Sequence, residues 1–283
     1  MSTVSVLTLV KNRAAHLKRL VEGLARSTCL PAELIVVDMA SDRPVVIPPQ
    51  CFPVTTVLLD RPGLPLAEAR NLAASTARSP ILLFLDVDCI PAAGLVGAIA
   101  AACGANDALL SAEVRYLPPG AVADDWSKRQ LLARAIRHPA RLFPGAGQSV
   151  AADHALFWSL AFGVSAERFA AVGGFDPAFT GYGAEDTDFA FRLRDAGVPH
   201  RLIGGAGAFH QHHAAHDPPL QHFADIVANA RRFHDRWQRW PMEGWLDAFQ
   251  GLGLIARKGH AIQVLRHPSA DEVSASKVDR AFA

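Results

Sequence analysis

An apolar run that ends in two acidic residues constrains this chain more than any other feature. Residues 81–88 read Ile-Leu-Leu-Phe-Leu-Asp-Val-Asp. Such a run is typical of a parallel strand buried on both faces, and the carboxyl end of that strand is where an open α/β sheet binds ligands. Side chains two residues apart in a strand point the same way, so Asp86 and Asp88 are predicted to reach one divalent cation. A strand followed by an ordinary acidic turn is the alternative.

Composition limits the class of protein. Half of the 283 residues are hydrophobic and the formal net charge is +1, which indicates a globular chain of one large domain or two fused halves. Without a long basic block, nucleic acid is not an expected partner. The sequence has neither a leader pattern nor an apolar run of membrane-spanning length. Four cysteines without zinc-type spacing indicate reduced thiols. We therefore expect a cytoplasmic protein.

Strands and helices alternate through the first third. Hydrophobic patterning predicts strands at residues 4–10, 34–38, 54–59 and 81–88, with helices at 14–26 and 68–77. Repeated β-α-β units predict a right-handed, mostly parallel sheet flanked by helices, which is an α/β fold. No glycine fingerprint or P-loop follows any of these strands, and this disfavours a dinucleotide or Walker-type site.

Several motifs, taken in order, resemble the family 2 glycosyltransferases of the GT-A fold, which is Rossmann-like. They are Val6 to Arg13, Val36-Val37-Asp38, Ala69-Arg70-Asn71, Phe84 to Asp88, Gly173 to Asp176 and Gly181 to Asp188. The last of these is similar to a galactosyltransferase acceptor motif, Gly-Tyr-Gly-Ala-Glu-Asp. The resemblance covers roughly residues 1–213 and implies transfer of a sugar from a nucleotide-diphosphate donor.

The resemblance also implies which residues bind the donor. They are Thr8, Val10, Asn12, Arg13, Asp38, Arg70, Asp86 and Val87. Asp38 at a strand end can accept hydrogen bonds from a base or ribose, although a turn-forming Asp is the simpler interpretation. Met39 stands where the family often has a second acid. Arg70 could pair with the diphosphate as a fork donor, or it could be a structural or solvated charge.

The metal site is predicted at the Asp-X-Asp element and a later histidine-rich stretch. By resemblance Asp88 is the principal ligand, Asp86 contacts ribose or metal, and His210 is the metal-ligating histidine. His212 would share its side if residues 209–213 are extended, whereas His213 and His216 could be solvated. Imidazole combined with carboxylates and phosphate oxygens suits Mn²⁺ better than Ca²⁺, and Mg²⁺ remains an alternative.

Catalysis is predicted at the start of a helix after a glycine-rich loop. Acids in a first helical turn also stabilise the macrodipole, but three acids exceed what that requires. By resemblance Asp186 is the base that accepts the acceptor hydroxyl's proton, and Glu185 orients the acceptor with Gly183. Trp158 could stack on a sugar ring or belong to the core.

The remaining segments are less informative. Residues 106–153 could form a helix and a mobile loop at 144–147. Beyond residue 216 a helical hairpin is predicted, with helical spacing up to Ile255 and a loose tail from Pro268. Its arginines and tryptophans could contact a membrane, giving peripheral attachment at the inner membrane face, but packing on the catalytic domain is preferred. The predicted domains are 1–215, with a nucleotide half at 1–105 and an acceptor and metal half at 106–215, and a C-terminal helical extension at 216–283.

The sequence thus predicts a metal-dependent glycosyltransferase. The donor is predicted to be a UDP-sugar and the acceptor a glycan, a lipid-linked sugar or a small molecule, with inversion at the anomeric carbon. A retaining transferase of the same fold, a sugar-nucleotide-binding module without turnover and a metal-dependent phosphohydrolase are the alternatives.

Overall fold

A computed structural model describes residues 2–279 of the chain. The first third alternates as predicted, with β1 (Val4–Val10), α1 (Ala14–Ala25), β2 (Glu33–Asp38), β3 (Val54–Leu58), α2 (Leu66–Thr76) and β4 (Ile81–Leu85). Every residue of β1, β2 and β4 is buried, as expected of strands that are mostly apolar. The predicted α/β class is confirmed.

The middle of the chain completes the sheet. Its elements are β5 (Cys89–Pro91), α3 (Leu95–Ala105), β6 (Leu109–Tyr116), α4 (Lys128–Arg134), β7 (Ile136–Arg137), β8 (Ser149–Ala151), β9 (Ala161–Ser165), α5 (Ala166–Ala171), α6 (Glu185–Asp195) and β10 (His200–His210). The sequence predicted no strand between residues 106 and 153. The sequence analysis missed β6 because Ser111 and Glu113 interrupt its apolar pattern, although both side chains are buried in the fold. Ser111 is paired with His200 (3.0 Å) and Glu113 with Arg137 (2.8 Å).

A single mixed sheet positions the loops of the candidate site. The strand order is β3-β2-β1-β4-β9-β6-β10-β5, with β7 paired to β6 and β8 to β10. Strands β1 to β4 pair in parallel, whereas β9 lies antiparallel between β4 and β6. Consequently the sheet is parallel in its first half, as predicted, and mixed in its second half.

Two apolar clusters cover the two faces of this sheet. Alternate residues of β1 divide between them, with Val6 in the cluster that α1 and α3 cover and Leu7 in the cluster that α2 and α6 cover. This alternation follows from the pleat of the strand. All four cysteines are free thiols, as expected.

The turn after β4 differs from the sequence-based prediction. The strand ends at Leu85, and the Cys89 amide donates to the Asp86 carbonyl (2.9 Å) to close a turn. Side-chain alternation applies to strands and does not continue through such a turn. The carboxylates of Asp86 and Asp88 therefore have different partners, so the structure does not support the strand geometry that was predicted for the pair.

The C-terminal part is more ordered and more varied than predicted. It contains β11 (Ala215–His216), α7 (Phe223–Trp237), α8 (Glu243–Gly251), β12 (Ile255–Lys258), β13 (Ala261–Val264), α9 (Ala270–Ala275) and β14 (Lys277–Val278). The helical hairpin was correctly predicted, but Gly253, with a φ of 67°, ends the second helix before Ile255. The predicted loose tail is wrong: Ser269 and Glu272 form a capping box on α9, and β14 pairs with β11.

Helix α7 packs against the domain that carries the candidate site. Phe233 of α7 lies in an apolar cluster with Phe179, Ala184 and Phe191 of that domain, as preferred from the sequence. The rest of its apolar face packs against α8 and β12. Asp188 of α6 is fully buried and accepts hydrogen bonds from Arg192 (2.8 Å) and from Arg236 (2.7 Å) and Trp237 (3.0 Å) of α7. Within residues 2–279, no helix combines the length and apolar character needed to cross a membrane.

This ion-pair network gives a prediction about stability. Replacing Asp188 by Ala should lower the free energy of unfolding by about 3 kcal/mol, because Arg192 loses its counter-ion and Arg236 keeps only Asp176. Asp195→Ala is the matched control, since its partner Arg194 and the acid itself are exposed, and its cost should be below about 1 kcal/mol. Urea unfolding measures both variants. Equal losses would show that Asp188 does not hold α7 in place.

Candidate functional site

The candidate site lies at the edge of the sheet where β1, β2 and β4 end. Parallel strands present their carboxyl ends at one edge, so the residues that follow them converge there. The end of β10 and the start of α6 reach the same edge, as the contacts of Asp88 with His210 and of Arg70 with Glu185 show. The site therefore draws on loops and helix ends that are far apart in the sequence.

The predicted donor residues of the first half lie on β1, β2 and the loops after them. Thr8 and Val10 are buried in β1. Asn12 has a positive φ of 56°, and its backbone N–H donates to the Ser41 hydroxyl (2.9 Å). Asp38 accepts from the Ser41 amide (2.9 Å). The loops after β1 and β2 are thus hydrogen-bonded to each other.

Asp88 is the centre of a group with two imidazoles. Its carboxylate lies 3.4 Å from His210 Nε2 and 3.3 Å from His213 Nε2, and Arg13 approaches it at 3.6 Å. Burial raises the pKa of Asp88, but the two histidines and Arg13 together lower it below its ordinary range. One ligand atom from each of Asp88, His210 and His213 lies within 4.8 Å of the others. This spacing would allow a single metal ion to bind all three.

The structure does not bring His212 into this group. The chain leaves β10 after His210, so the alternation that would have aligned His212 with His210 stops there. His212 Nε2 lies 2.9 Å from Asp279 instead. His213, which the sequence analysis regarded as a possible solvated histidine, takes the position beside Asp88. In the sequence, only the position of His213 within the histidine-rich stretch indicated that it could be a ligand.

Arg70 occupies the space between the two acidic elements. It is buried and donates to Glu185 (3.0 Å) and to the Ser159 hydroxyl (2.8 Å), and it lies 4.0 Å from Asp86. Burial and the neighbouring charge of Asp88 raise the pKa of Asp86 to about 7, although Arg70 opposes the shift. Val87 is buried in the turn between the acids. The Arg70 guanidinium therefore binds protein carboxylates where a diphosphate contact had been predicted.

Glu185 and Asp186 begin helix α6. The preceding residue, Ala184, has a left-handed backbone with a φ of 68°, and the helix N-terminus favours negative charge there. Burial and the Glu185 charge raise the pKa of Asp186 to about 6, and hydrogen bonds from Thr187 partly offset this shift. Asp186 can therefore accept a proton near neutral pH, whereas Glu185 is engaged with Arg70.

Helices α7 and α8 shape the glycine-rich loop before α6. The buried Asn229 of α7 donates through Nδ2 to the carbonyls of Thr180 and Gly183, each at 2.9 Å. A Cβ on Gly183 would lie 2.7 Å from the Met242 sulfur, and its φ of 99° also requires glycine. The sequence analysis missed Asn229, because nothing local distinguishes an asparagine within a helix from a surface one.

Trp158 lines a cleft together with Tyr116, His138 and Arg141. It is 36% exposed, which excludes the core alternative. The Arg141 guanidinium lies 4.3 Å from its ring centre, and His138 contacts it edge-on at 5.0 Å. Tyr116, which lines the same cleft, stacks obliquely on His210 at 5.1 Å. The cleft is therefore next to the group around Asp88.

Comparison with known families matches both halves of this site. The model of glycosyl transferase family 2 matches residues 5–163, more than half of the chain, and a model described as the N-terminal domain of galactosyltransferase matches residues 152–214. The first match contains the Asp86 and Asp88 turn, and the second contains Glu185, Asp186 and His210.

Curated relatives match part of their own length. A validoxylamine A glucosyltransferase of Streptomyces hygroscopicus subsp. limoneus is 30% identical, over 69% of this chain and 49% of that protein. An uncharacterized glycosyltransferase of Haemophilus influenzae is 38% identical over 30% of this chain and 29% of that protein. The chain thus spans about half the length of the first of these relatives.

Solved structures with the same fold include two that carry ligands. GalNAc-T7 with UDP, GalNAc and Mn²⁺ superimposes with a TM-score of 0.56 and 16% identity, over 75% of this chain and 43% of that one. S. aureus TarS 1-349 in complex with UDP-GlcNAc gives a TM-score of 0.54 and 14% identity, over 75% and 59% of the two chains. At these identities the similarity shows a shared fold alone.

The raised pKa of Asp186 predicts a stability cost that depends on pH. Its pKa rises from 3.8 to about 6 on folding, so the folded state binds this proton more tightly than the unfolded state does. The free energy of unfolding of Asp186→Asn, relative to that of the wild type, should therefore increase by up to about 3 kcal/mol as pH rises from about 4 to above about 6. Below that range this difference should not change with pH.

Urea unfolding at pH 4 and pH 8, with chelator present, tests this. Asp195→Asn replaces an exposed acid of the same helix and is the control. A difference between Asp186→Asn and wild type that is the same at both pH values would contradict the shift.

Proposed function

Since the chain belongs to glycosyl transferase family 2, we propose that it transfers a sugar from a UDP-sugar to an acceptor hydroxyl, with a divalent metal and with inversion. That the chain is a glycosyltransferase of the GT-A fold follows from the family match and the shared architecture. One observation supports the proposed metal, donor and transfer reaction. The group around Asp88 and the acids that begin α6 lie together at one edge of the sheet.

The chemistry of the Asp88 group fits a metal. One carboxylate with His210 and His213 leaves room for phosphate oxygens, and this ligand set suits Mn²⁺ or Mg²⁺ better than Ca²⁺. The His210 Nδ1 atom is buried without a hydrogen-bond partner in the part of the chain described. GalNAc-T7, which shares the fold, has been solved with UDP and Mn²⁺. A bound cation would stabilise charge on the departing nucleoside diphosphate.

The donor is assigned to the loops after β1, β2 and β4. Asn12, Arg13 and Asp38 line these ends, and Asp86 lies between them and the start of α6. We propose that base and ribose are bound there through hydrogen bonds, with Arg13 near the diphosphate. TarS, which shares the fold, has been solved with UDP-GlcNAc, and this supports a uridine nucleotide.

Proton transfer is assigned to Asp186. With a pKa raised to about 6, its carboxylate is ionised at neutral pH yet basic enough to accept the acceptor hydroxyl's proton as that oxygen attacks the anomeric carbon. Glu185, held by Arg70 (3.0 Å), would orient the acceptor. We assign Arg70 the role of fixing Glu185, because its guanidinium nitrogens are already bound to protein groups.

The acceptor is assigned to the space between the Gly183 loop and Trp158. An exposed indole with a flanking arginine and histidine can stack on a sugar or cyclitol ring and donate to its hydroxyls. The name validoxylamine A glucosyltransferase supports glucose transfer to a small molecule as one possibility. A glycan and a lipid-linked sugar remain alternatives, as does a retaining reaction; the anomeric configuration of the product, read by NMR, decides between retention and inversion.

Donor and metal binding can be tested together by calorimetry. UDP should bind the wild type in the presence of Mn²⁺ more tightly than GDP or dTDP does, and binding should weaken without the metal. His213→Gln should weaken it at least about tenfold, whereas His212→Gln, the matched neighbour, should leave it nearly unchanged. A larger effect of His212→Gln would return the ligand role to that residue. Folded protein that binds no nucleotide would contradict the proposed function.

The role of Asp186 predicts a pH profile. Its carboxylate is protonated below a pKa of about 6, so the transfer rate should fall as pH decreases through that value. Thr187→Val removes a hydrogen bond to the ionised form and should move the acidic midpoint to higher pH. Asp186→Asn should lower kcat about 10²- to 10⁴-fold.

Product formation from a UDP-sugar at several pH values measures these effects. An unmoved midpoint in Thr187→Val would assign the titration to another group. A variant or wild type that binds the donor but never transfers would favour the binding-module alternative. Rapid donor cleavage without any acceptor would favour a phosphohydrolase.

A further inference from the structure

The segment from Trp126 to Ala152 differs in charge from the rest of the chain. It contains Lys128, Arg129, Arg134, Arg137 and Arg141 and no Asp or Glu, in a protein whose net charge is only +1. Of these cations, Lys128, Arg129, Arg134 and Arg137 are exposed. Arg137 is paired with Glu113 and Arg141 is half-buried beside Trp158. Three cationic side chains therefore project from α4 into solvent.

The same part of the chain exposes apolar side chains. Among the described residues, six of the eleven exposed large hydrophobic side chains lie between residues 132 and 158. They are Leu132, Ile136, Leu142, Val150, Leu156 and Trp158. Leu142 is the extreme case at 84% exposure, and Leu156 is 54% exposed. Clustering of this kind marks an interaction surface, whereas isolated exposed leucines need no explanation.

Contacts connect the segments that carry these side chains. Arg141 donates to the Leu156 carbonyl and its guanidinium lies over the Trp158 ring, so the segment with Leu142 is joined to the segment with Leu156 and Trp158. Arg137 of β7 lines the same cleft as Trp158, and β7 follows α4 after one residue. We call the surface formed by α4, Ile136, Leu142, Leu156 and Trp158 the basic apolar face.

The C-terminal helices do not offer a comparable surface. Arg236 is used in ion pairs with Asp176 and Asp188, and Arg231 donates to the Ile262 carbonyl. The phenylalanine, isoleucine and valine side chains of α7 are buried, and Trp237 is partly buried. The membrane contact that the sequence suggested for these helices would therefore have cations but little apolar surface to insert.

We propose that the basic apolar face docks on a bilayer that contains anionic phospholipid. Exposed Lys and Arg attract an anionic surface, and exposed leucines and a tryptophan partition into the headgroup region. A nucleic acid or an anionic glycan would bind the cations but would gain nothing from Leu142 or Leu156. The face adjoins the Trp158 cleft, so docking would bring that cleft to the lipid surface. The proposal does not depend on the catalytic activity.

Vesicle co-sedimentation of the full chain tests the proposal. The chain should bind vesicles of phosphatidylcholine with phosphatidylglycerol and should bind pure phosphatidylcholine vesicles at least about tenfold more weakly. K128Q/R129Q/R134Q should weaken binding at least about tenfold. R43Q/R232Q/R239Q removes the same charge from exposed positions elsewhere and should have a much smaller effect.

A second variant separates lipid from a soluble polyanion. L142Q/L156Q keeps every charge, so it should weaken vesicle binding while leaving any binding to heparin unchanged. Thermal unfolding confirms that each variant is folded. Absence of binding to anionic vesicles, or equal losses in the two triple variants, would overturn the proposal. Vesicle binding that L142Q/L156Q leaves unaffected, with heparin bound as tightly, would identify the face as a polyanion site instead.

Discussion

The arrangement of the candidate site depends on one buried cation. Arg70 is 5% exposed, and a guanidinium keeps its charge at any physiological pH. A buried charge is tolerated only where anions and hydrogen-bond acceptors surround it. Arg70 finds them in Glu185 at the start of α6, in Ser159 before β9 and in Asp86 after β4. Satisfying this single side chain therefore requires the donor side and the acceptor side of the site to come together.

The C-terminal helices also support the candidate site. The family models end at residue 214, yet the loop that precedes Glu185 is held by Asn229 and Met242, which lie beyond that point. Gly181 and Gly183 adopt positive φ angles without steric cost, whereas the positive φ of Ala184 is strained and depends on support from the surrounding structure. The C-terminal part thus holds the loop to which we assign the acceptor.

The sequence predicted the parts of the fold that local physics determines. Strand β4 is fully apolar, and β1 and β2 are mostly apolar, with Ser5 and Thr8 in the first and Glu33 and Asp38 at the ends of the second. Runs with so much apolar character are expected to be buried. β6 was missed because Ser111 and Glu113 are satisfied by partners 89 and 24 residues away, which no local pattern reveals. His213 was not selected because the strand rule ceases to apply where β10 ends. The C-terminal tail was predicted to be loose because its residues are small and polar, but up to residue 279 the capping box of α9 and the pairing of β14 with β11 give it order.

Two acids of helix α6 show how the environment separates structural from chemical roles. Asp186 and Asp188 are two residues apart in the first turn of the helix, and helical patterning alone does not distinguish them. Asp188 Oδ1 accepts hydrogen bonds from Arg236 and Trp237 of α7, and its Oδ2 accepts one from Arg192 of α6, so both oxygens are engaged. Burial and the neighbouring Glu185 charge raise the pKa of Asp186 to about 6, and Arg70 and the hydrogen bonds from Thr187 only partly oppose the shift. The first arrangement stabilises the fold, whereas the second leaves a carboxylate free to exchange a proton near neutral pH.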